Sequence, residues 1–348
     1  MVDINKKIYT ASWIDNLIKR IDQVPLPAWV FYIIVDLVLV LLIHAVAWTG
    51  GIIPFGSIDP FVLQLPFWLV SPLAYIHYLD RVALQTMKKF RPALNIDAAD
   101  FNILSYQIST MQTRPIRVMF AIGAVLVVAL MVITPSILQP LSQTTLGVVI
   151  LIAIGVPTGW LGCSFLYHTV RQLRMVNKMY QRIEAINLFD LDPMHAFSVL
   201  TARTSILLIV YMGLAAVLNL AMDGGEASNF LLTLFAPLIS TLAIATFFIP
   251  LWGIHTRLVE EKQRVEGENN KRIESAMFEL HRRMDQSDHD DMIKFRSGVS
   301  GLLSFRAELN GVSTWPWQPA TLRGLLTAVF LPIILWTIQQ ILSQIMEL

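Results

Sequence analysis

The distribution of lysine and arginine constrains the fold of this chain more than any other sequence feature. All 26 of these residues lie in four segments, which hold four, six, five and eleven of them: 1–27, 79–117, 169–203 and 255–323. The connections between the other apolar stretches hold none of them: 49–60, 140–145 and 223–229. Because Lys- and Arg-rich connections of membrane proteins face the cytosol, the pattern predicts a multi-span protein with these four segments inside.

Seven stretches are long and apolar enough to be membrane spans, since about 20 apolar residues cross roughly 30 Å of hydrocarbon. They are residues 29–48, 61–78, 118–139, 146–168, 204–222, 230–253 and 324–346. The second is short and contains Pro66 and Pro72. An odd number of spans places the N-terminus in the cytosol and the C-terminus outside. Only 15% of the residues are charged, against roughly 25% in soluble domains.

We therefore predict an all-α polytopic membrane protein with seven transmembrane helices and a cytosolic helical domain formed by extensions of the spans. The predicted organisation comprises a cytosolic amphipathic segment (1–27), transmembrane helices 1–6 (28–253) with cytosolic helical insertions (79–117 and 169–203), a cytosolic helical hairpin (254–323) and transmembrane helix 7 (324–348).

Apolar residues at helical spacing predict the cytosolic helices. Val170, Leu173 and Val176 extend the fourth span, and Asp192 before Pro193 predicts where the next helix starts. A coiled-coil-like pattern predicts a long helix after span six, packed within a bundle: Ile254, Leu258, Val265, Ile273, Met277, Leu280 and Met284. A further amphipathic stretch covers about 292–309. An N-terminal amphipathic helix is predicted from Ile8, Trp13, Ile14, Leu17 and Ile21.

Asp36 is the one acidic residue deep within a predicted span. A carboxylate at the centre of a membrane helix costs about 2.5–3.5 kcal/mol by insertion scales, so it is expected to face protein or water. At a rise of about 1.5 Å per residue, three polar residues of other spans lie at a comparable height: Ser164, Tyr211 and Thr246. This buried polar site either joins helices through hydrogen bonds or binds a proton or cation.

A second polar layer is predicted nearer the outside. It consists of His44, Asn219, Ser240 and Thr241, together with Thr337, Gln340 and Gln344 of the last span. These residues either line an outward-facing cavity or pore, or hold neighbouring helices together by hydrogen bonds.

The topology resembles that of the insect gustatory and odorant receptor channels and their wider relatives. The resemblance covers the whole chain as topology: seven spans, N-terminus inside, short outer loops and a cytosolic bundle. It implies a homo-oligomer whose last span lines the pore and whose cytosolic helices form the interface. The family signature in the last helix, Thr-Tyr followed five residues later by Gln-Phe, is absent from LWTIQQIL (335–342), so no functional residue is transferred.

Several classes of function are disfavoured by the sequence. The net charge of +1 gives no basic character for nucleic acid. No P-loop, GxGxxG, HExxH or CxxC motif is present, and we expect no catalytic residues, no metal and no cofactor. The acidic run at 285–291 lacks EF-hand spacing and is expected to be a solvated loop rather than a cation site.

Three functional hypotheses follow. The first is a non-enzymatic channel- or receptor-like homo-oligomer in contact with membrane lipid, with a small-molecule ligand or ion as a further partner. The second is a membrane scaffold or sensor that acts through its cytosolic helices, and the third is an intramembrane enzyme that uses Asp36 or a histidine. Short outer loops and the single cysteine, Cys163, fit a prokaryotic plasma membrane.

Overall fold

The described part of the chain is built from helices. The structure, a computed structural model, describes residues 9–133, 138, 140–183, 186–221, 226–285 and 292–330, with side chains undescribed at 212, 215–240, 285 and 292–294. The α-helices are α1 (Trp13–Ile21), α2 (Ala28–Thr49), α3 (Pro60–Phe90), α4 (Ala98–Ser109), α5 (Thr113–Ile133), α6 (Thr145–Gln181), α7 (Asp192–Ala221), α8 (Glu226–Asp285) and α9 (Met292–Gly311). Within the described residues, strand pairing is limited to an isolated bridge between Ala11 and Gln112.

Six helices of the described part are long and apolar enough to cross a membrane, namely α2, α3, α5, α6, α7 and α8. They coincide with the first six predicted spans. The second span is one continuous helix despite Pro66 and Pro72. Of the predicted seventh span, residues up to 330 are helical and the remainder lies outside the described residues.

The predicted continuation of the spans is confirmed at several points. Helix α6 runs on to Gln181, α7 begins at Asp192, and α9 covers the predicted stretch near 292–309. In α8 the coiled-coil-like pattern is buried only in part. Ile254 and Leu258 are fully buried, whereas Met277 and Met284 are exposed, so burial of that face decreases along the second half of α8.

The four segments that hold the lysines and arginines contact one another. The amide of Ser12 donates to the carbonyl of Met111 at 3.1 Å, and the Arg171 guanidinium donates to the Tyr9 hydroxyl. Arg257 of α8 donates to the carbonyl of Tyr180 at 2.6 Å and to that of Ile183 at 2.7 Å. Since a cation at a helix C-terminus satisfies free carbonyls, Arg257 joins α8 to the end of α6.

An aromatic cluster forms the centre of the same end of the molecule. The rings of Phe90, Tyr180 and Phe197 lie 4.8–5.6 Å apart, centroid to centroid. The Tyr180 hydroxyl donates to the carbonyl of Met194 at 2.9 Å. The cluster joins α3, α6 and α7, and of these α3 and α7 border the candidate site described below.

Helices α5 and α6 approach closely at two glycines. A Cβ atom at Gly123 would lie 2.4 Å from the carbonyl carbon of Gly159. Small residues allow such close backbone contact between membrane helices. The indole of Trp160 also donates to the carbonyl of Ile116 at 2.9 Å, so α5 is held against α6 in one register.

Candidate functional site

A cavity of about 750 Å³ lies between α2, α3 and α7. Most of its lining is apolar, with contributions from Trp29, Ile33, Leu37, Phe67, Val70, Ala74, Ile206 and Leu207. The side chains of Trp29, Ile33 and Leu37 are exposed, so the cavity is open beside α2. Ligand sites of this size are typically apolar with a few placed polar groups.

The polar groups at one end of the cavity form a hydrogen-bonded chain, here called the rim network. It consists of Tyr32, His77, Asp22 and Arg81. The Nε2 atom of His77 lies 3.0 Å from the Asp22 carboxylate, and its Nδ1 atom lies 3.0 Å from the Tyr32 hydroxyl. Because a carboxylate accepts, Nε2–H donates to Asp22 and the Tyr32 hydroxyl donates to Nδ1 of the neutral ring.

Asp22 connects the end of α1 to α3 and is partly exposed. Its burial alone would raise the pKa of the carboxyl, but the hydrogen bonds from Arg81 and His77 and the charge of Arg81 outweigh burial and lower the pKa. The carboxylate is therefore charged at neutral pH. It neutralises Arg81 while leaving that side chain about half exposed, at 52%.

A second arginine lines the same end of the cavity. Arg203, in the first half of α7, places its guanidinium 5.7 Å from the ring centroid of Tyr78 on α3. This cation–π contact orients Arg203 without neutralising its charge. Among the ion pairs of the described residues, Arg203 has no carboxylate partner, so this end of the cavity carries a net positive charge.

Asp36 lies deeper in the cavity than the rim network. It is one helical turn beyond Tyr32 along α2, or about 6 Å at a rise of roughly 1.5 Å per residue. Both residues line the cavity. The Oδ1 atom of Asp36 is buried and has no hydrogen-bond partner among the described residues. Asp36 is thus a buried polar group that faces the cavity.

A second polar group, here called the buried network, lies where α3 contacts α6. Asp80 accepts two hydrogen bonds at one carboxylate oxygen, from Nε2 of His168 at 2.7 Å and from the Gln172 amide at 2.8 Å. All three side chains are almost completely inaccessible. The Nδ1 atom of His168 and the Oε1 atom of Gln172 have no partner among the described residues.

Helix α1 is held next to this region by Asp15. Its Oδ2 atom accepts from the Ser12 amide at 2.9 Å, from the Ser12 hydroxyl at 2.6 Å and from the Met111 amide at 3.0 Å. The bond from the Ser12 amide forms a capping box together with the Asp15 amide, which donates to the Ser12 hydroxyl oxygen at 3.3 Å. Nearby, burial outweighs the charge of Arg171 and raises the pKa of Tyr9 to about 12, so this phenol stays protonated and accepts from Arg171 as a neutral group.

The structure places the four residues of the predicted buried polar site in different surroundings. Asp36 faces the cavity, whereas Ser164 is fully buried in α6 with no hydrogen-bond partner among the described residues. Thr246 bonds to the Ser205 hydroxyl at 2.9 Å. Tyr211 packs against Phe67, Trp68 and Tyr75. Of these, Phe67 and Tyr75 line the same cavity as Asp36.

Of the predicted outer polar layer, His44 and Thr241 have described side chains. His44 is buried and its Nδ1 atom lies 2.9 Å from the carbonyl of Val40, one turn earlier in the same helix. Thr241 is exposed. The side chains of Asn219 and Ser240 are not described, and Thr337, Gln340 and Gln344 lie outside the described residues.

Sequence reasoning did not select His77, Asp80, Arg81, His168 or Arg203 as site residues. A signal existed in YIHYLDRVAL (75–84), where a histidine and an acid lie three residues apart within an apolar helix. Such residues are costly near the membrane and need partners. Within the described residues, no cluster of three or more His, Cys, Asp or Glu residues is placed to hold a metal ion.

The long apolar helices of the described residues are those of an integral membrane protein, and α2, α3 and α7 enclose a cavity with charged groups at its rim. Comparisons with protein-family models, curated proteins and solved structures gave no match.

Proposed function

We propose that this integral membrane protein is receptor-like and that it binds a small amphiphilic molecule in the cavity between α2, α3 and α7. The cavity itself is the observation that supports this proposal: an apolar volume of about 750 Å³ with its charged groups concentrated at one end. The rim network adds a route for a response, because Asp22 connects the cavity-lining His77 and Arg81 to the end of α1.

Photolabelling tests the proposal directly. The purified protein is labelled in nanodiscs with a neutral alkyl-diazirine probe, and the labelled residues are mapped by mass spectrometry. We expect labelling of cavity-lining residues such as Val70 and Ile206, and we expect Ala74→Trp to abolish it by filling the cavity. Leu126→Trp, on an exposed position of α5, is the matched control. Unchanged labelling of Val70 and Ile206 in Ala74→Trp would contradict a ligand cavity.

The channel form of this proposal places the pore at the last helix of a homo-oligomer. Its support is the resemblance in topology and the polar residues Thr337, Gln340 and Gln344. Ionic currents are measured across bilayers that contain the protein. Replacing Gln340 and Gln344 by leucine is expected to change conductance or ion selectivity, because the pore would lose its polar lining. Currents identical to the wild type would exclude this pore.

A scaffold that acts through its cytosolic helices is the second candidate function. Apolar side chains are exposed on the hairpin of α8 and α9, with Phe278 at 74% and Leu303 and Met284 at about half. The double change Phe278→Asp and Leu303→Asp is expected to abolish self-association or partner binding, measured by cross-linking of the membrane-embedded protein. Cross-linking that is unaffected by both changes would exclude this face as the interface.

A further inference from the structure

The charged end of the cavity indicates which class of amphiphile it accepts. Arg81 and Arg203 line this end from α3 and α7, and Asp22 neutralises only Arg81. Arginine binds phosphate through its fork of N–H donors, and basic pockets between membrane helices bind anionic headgroups. The surplus of positive charge therefore favours an anion at this end.

The rest of the cavity favours an acyl chain that arrives from the membrane. Ile33 and Leu37 of α2 and Ile206 of α7 are apolar lining residues, and the first two are exposed beside the opening. Trp29 and Tyr78 flank the charged end, and Trp and Tyr are typical of the headgroup level of a bilayer. A bilayer lipid reaches such an opening by lateral diffusion without crossing water.

The deeper part of the cavity determines the direction in which an anionic amphiphile lies. Its polar lining residue is Asp36, which offers no cation, and Asp36 lies deeper than Arg81 and Arg203. A phosphate at that depth would lose its water without gaining a cationic partner among the described lining residues, which is strongly unfavourable. The anion is thereby restricted to the arginine end and the chain to the deeper, apolar part.

We propose that the cavity between α2, α3 and α7 binds an anionic glycerophospholipid of the adjoining leaflet, with its phosphate between Arg81 and Arg203 and an acyl chain along Ile33, Leu37 and Ile206. The inference rests on the proposed function, since it names the amphiphile that the receptor-like cavity accepts.

Native mass spectrometry of the full-length protein tests the lipid class. The protein is titrated in detergent with phosphatidylglycerol, with phosphatidylcholine and with oleate, and the bound copies are counted. We expect phosphatidylglycerol to bind more tightly than phosphatidylcholine. Arg81→Gln and Arg203→Gln should each weaken phosphatidylglycerol binding about tenfold, since each removes charge-assisted hydrogen bonds to phosphate.

Two control variants separate charge recognition from structure. Arg264→Gln removes the same charge from an exposed arginine of α8 that is paired with Glu261 and Glu268, and it should leave lipid binding unchanged. Asp22→Asn removes the negative charge that neutralises Arg81 but keeps both cations, so it should preserve or strengthen binding. If Asp22→Asn weakens binding as much as Arg81→Gln, then Arg81 acts through α1 and the phosphate site is wrong.

The remaining outcomes distinguish this inference from the proposed function. The two phospholipids could bind equally, with binding unchanged by replacement of either arginine but abolished by Ala74→Trp. That result would show that the ligand need not be anionic, while the cavity would remain a ligand site. If oleate saturates the site and phosphatidylglycerol does not bind, the anionic ligand is a free fatty acid and the phospholipid proposal is wrong. If phosphatidylglycerol still binds to Ala74→Trp, the lipid lies outside the cavity. Where Ala74→Trp prevents folding, Ala74→Leu provides the same test.

Discussion

The rim network and the buried network contain the same chemical pair, a histidine hydrogen-bonded to an aspartate, and they meet within one turn of α3. His77 and Asp80 are three residues apart on α3. The carboxylate that pairs with His77 is 42% exposed, whereas the pair of Asp80 and His168 is almost fully sealed. The comparison shows that burial, rather than residue type, decides whether such a pair borders a site or holds helices together.

The largest expected effect comes from the sealed pair. Asp80→Ala should lower the free energy of unfolding by about 3–5 kcal/mol, because it leaves the buried donors of His168 and Gln172 without an acceptor. The measurement is unfolding in mixed detergent micelles. Asp80→Asn keeps one acceptor oxygen and should lose less than Asp80→Ala. If Asp22→Ala destabilises the protein as strongly as Asp80→Ala, the contrast between the networks is wrong.

A smaller effect is expected from the hydrogen bond between Tyr32 and His77. Tyr32→Phe removes the hydroxyl that donates to His77 and should cost about 0.5–1.5 kcal/mol of unfolding free energy. Combining Tyr32→Phe with Asp22→Asn tests whether the rim network acts as a unit. Residues of one hydrogen-bond network couple, so the double change should differ from the sum of the single changes. Strict additivity would show that α2 and α1 contact His77 independently.

The smallest effect concerns the pH dependence of Asp22. Its pKa in the folded protein lies below the ordinary value, so the stabilisation that it provides is complete above about pH 4 and is lost as the pH falls through the folded pKa. Since Asp22 is well exposed, solvent screens the effect. We expect the stability difference between wild type and Asp22→Asn to vanish in acid. A stability difference that persists at pH values where residue 22 is uncharged in both proteins would show that the difference arises from packing.

Much of the fold was predictable because hydropathy and charge placement act locally along the chain. Apolar length located α2, α3, α5 and α6, and Asp192 before Pro193 located the start of α7. The same local reasoning predicted that the packed face of α8 continues as far as Met284. Helical spacing identifies which residues share a face, but it does not show how much of that face another helix covers. Met284 is exposed, while the fully buried Leu258 belongs to the same periodic set.

The candidate site was far less predictable because it depends on helix rotation and on contacts between distant residues. Depth along each span placed Asp36 and Thr246 at one height, yet Asp36 faces the cavity and Thr246 bonds to Ser205. Asp80 and His168 are separated by 88 positions in the chain, and no periodicity in either helix identifies that partner. Pairing of this kind follows from the packing of α3 against α6.

The length of α8 has a mechanical consequence. Its 60 residues at about 1.5 Å per residue give a rod of roughly 90 Å, of which the hydrocarbon layer accounts for only about 30 Å. Arg257 fastens this rod to the end of α6, and Lys262 donates to the carbonyls of Asn310 and Val312 at the end of α9. A tilt of about 5° around the contacts of Arg257 and Lys262 would therefore move the far tip by roughly 3 Å. The distal arm of α8 is roughly 35 Å long and is no longer than the arm on the membrane side, so the helix would carry a rearrangement among the spans to its distal end at about the same size.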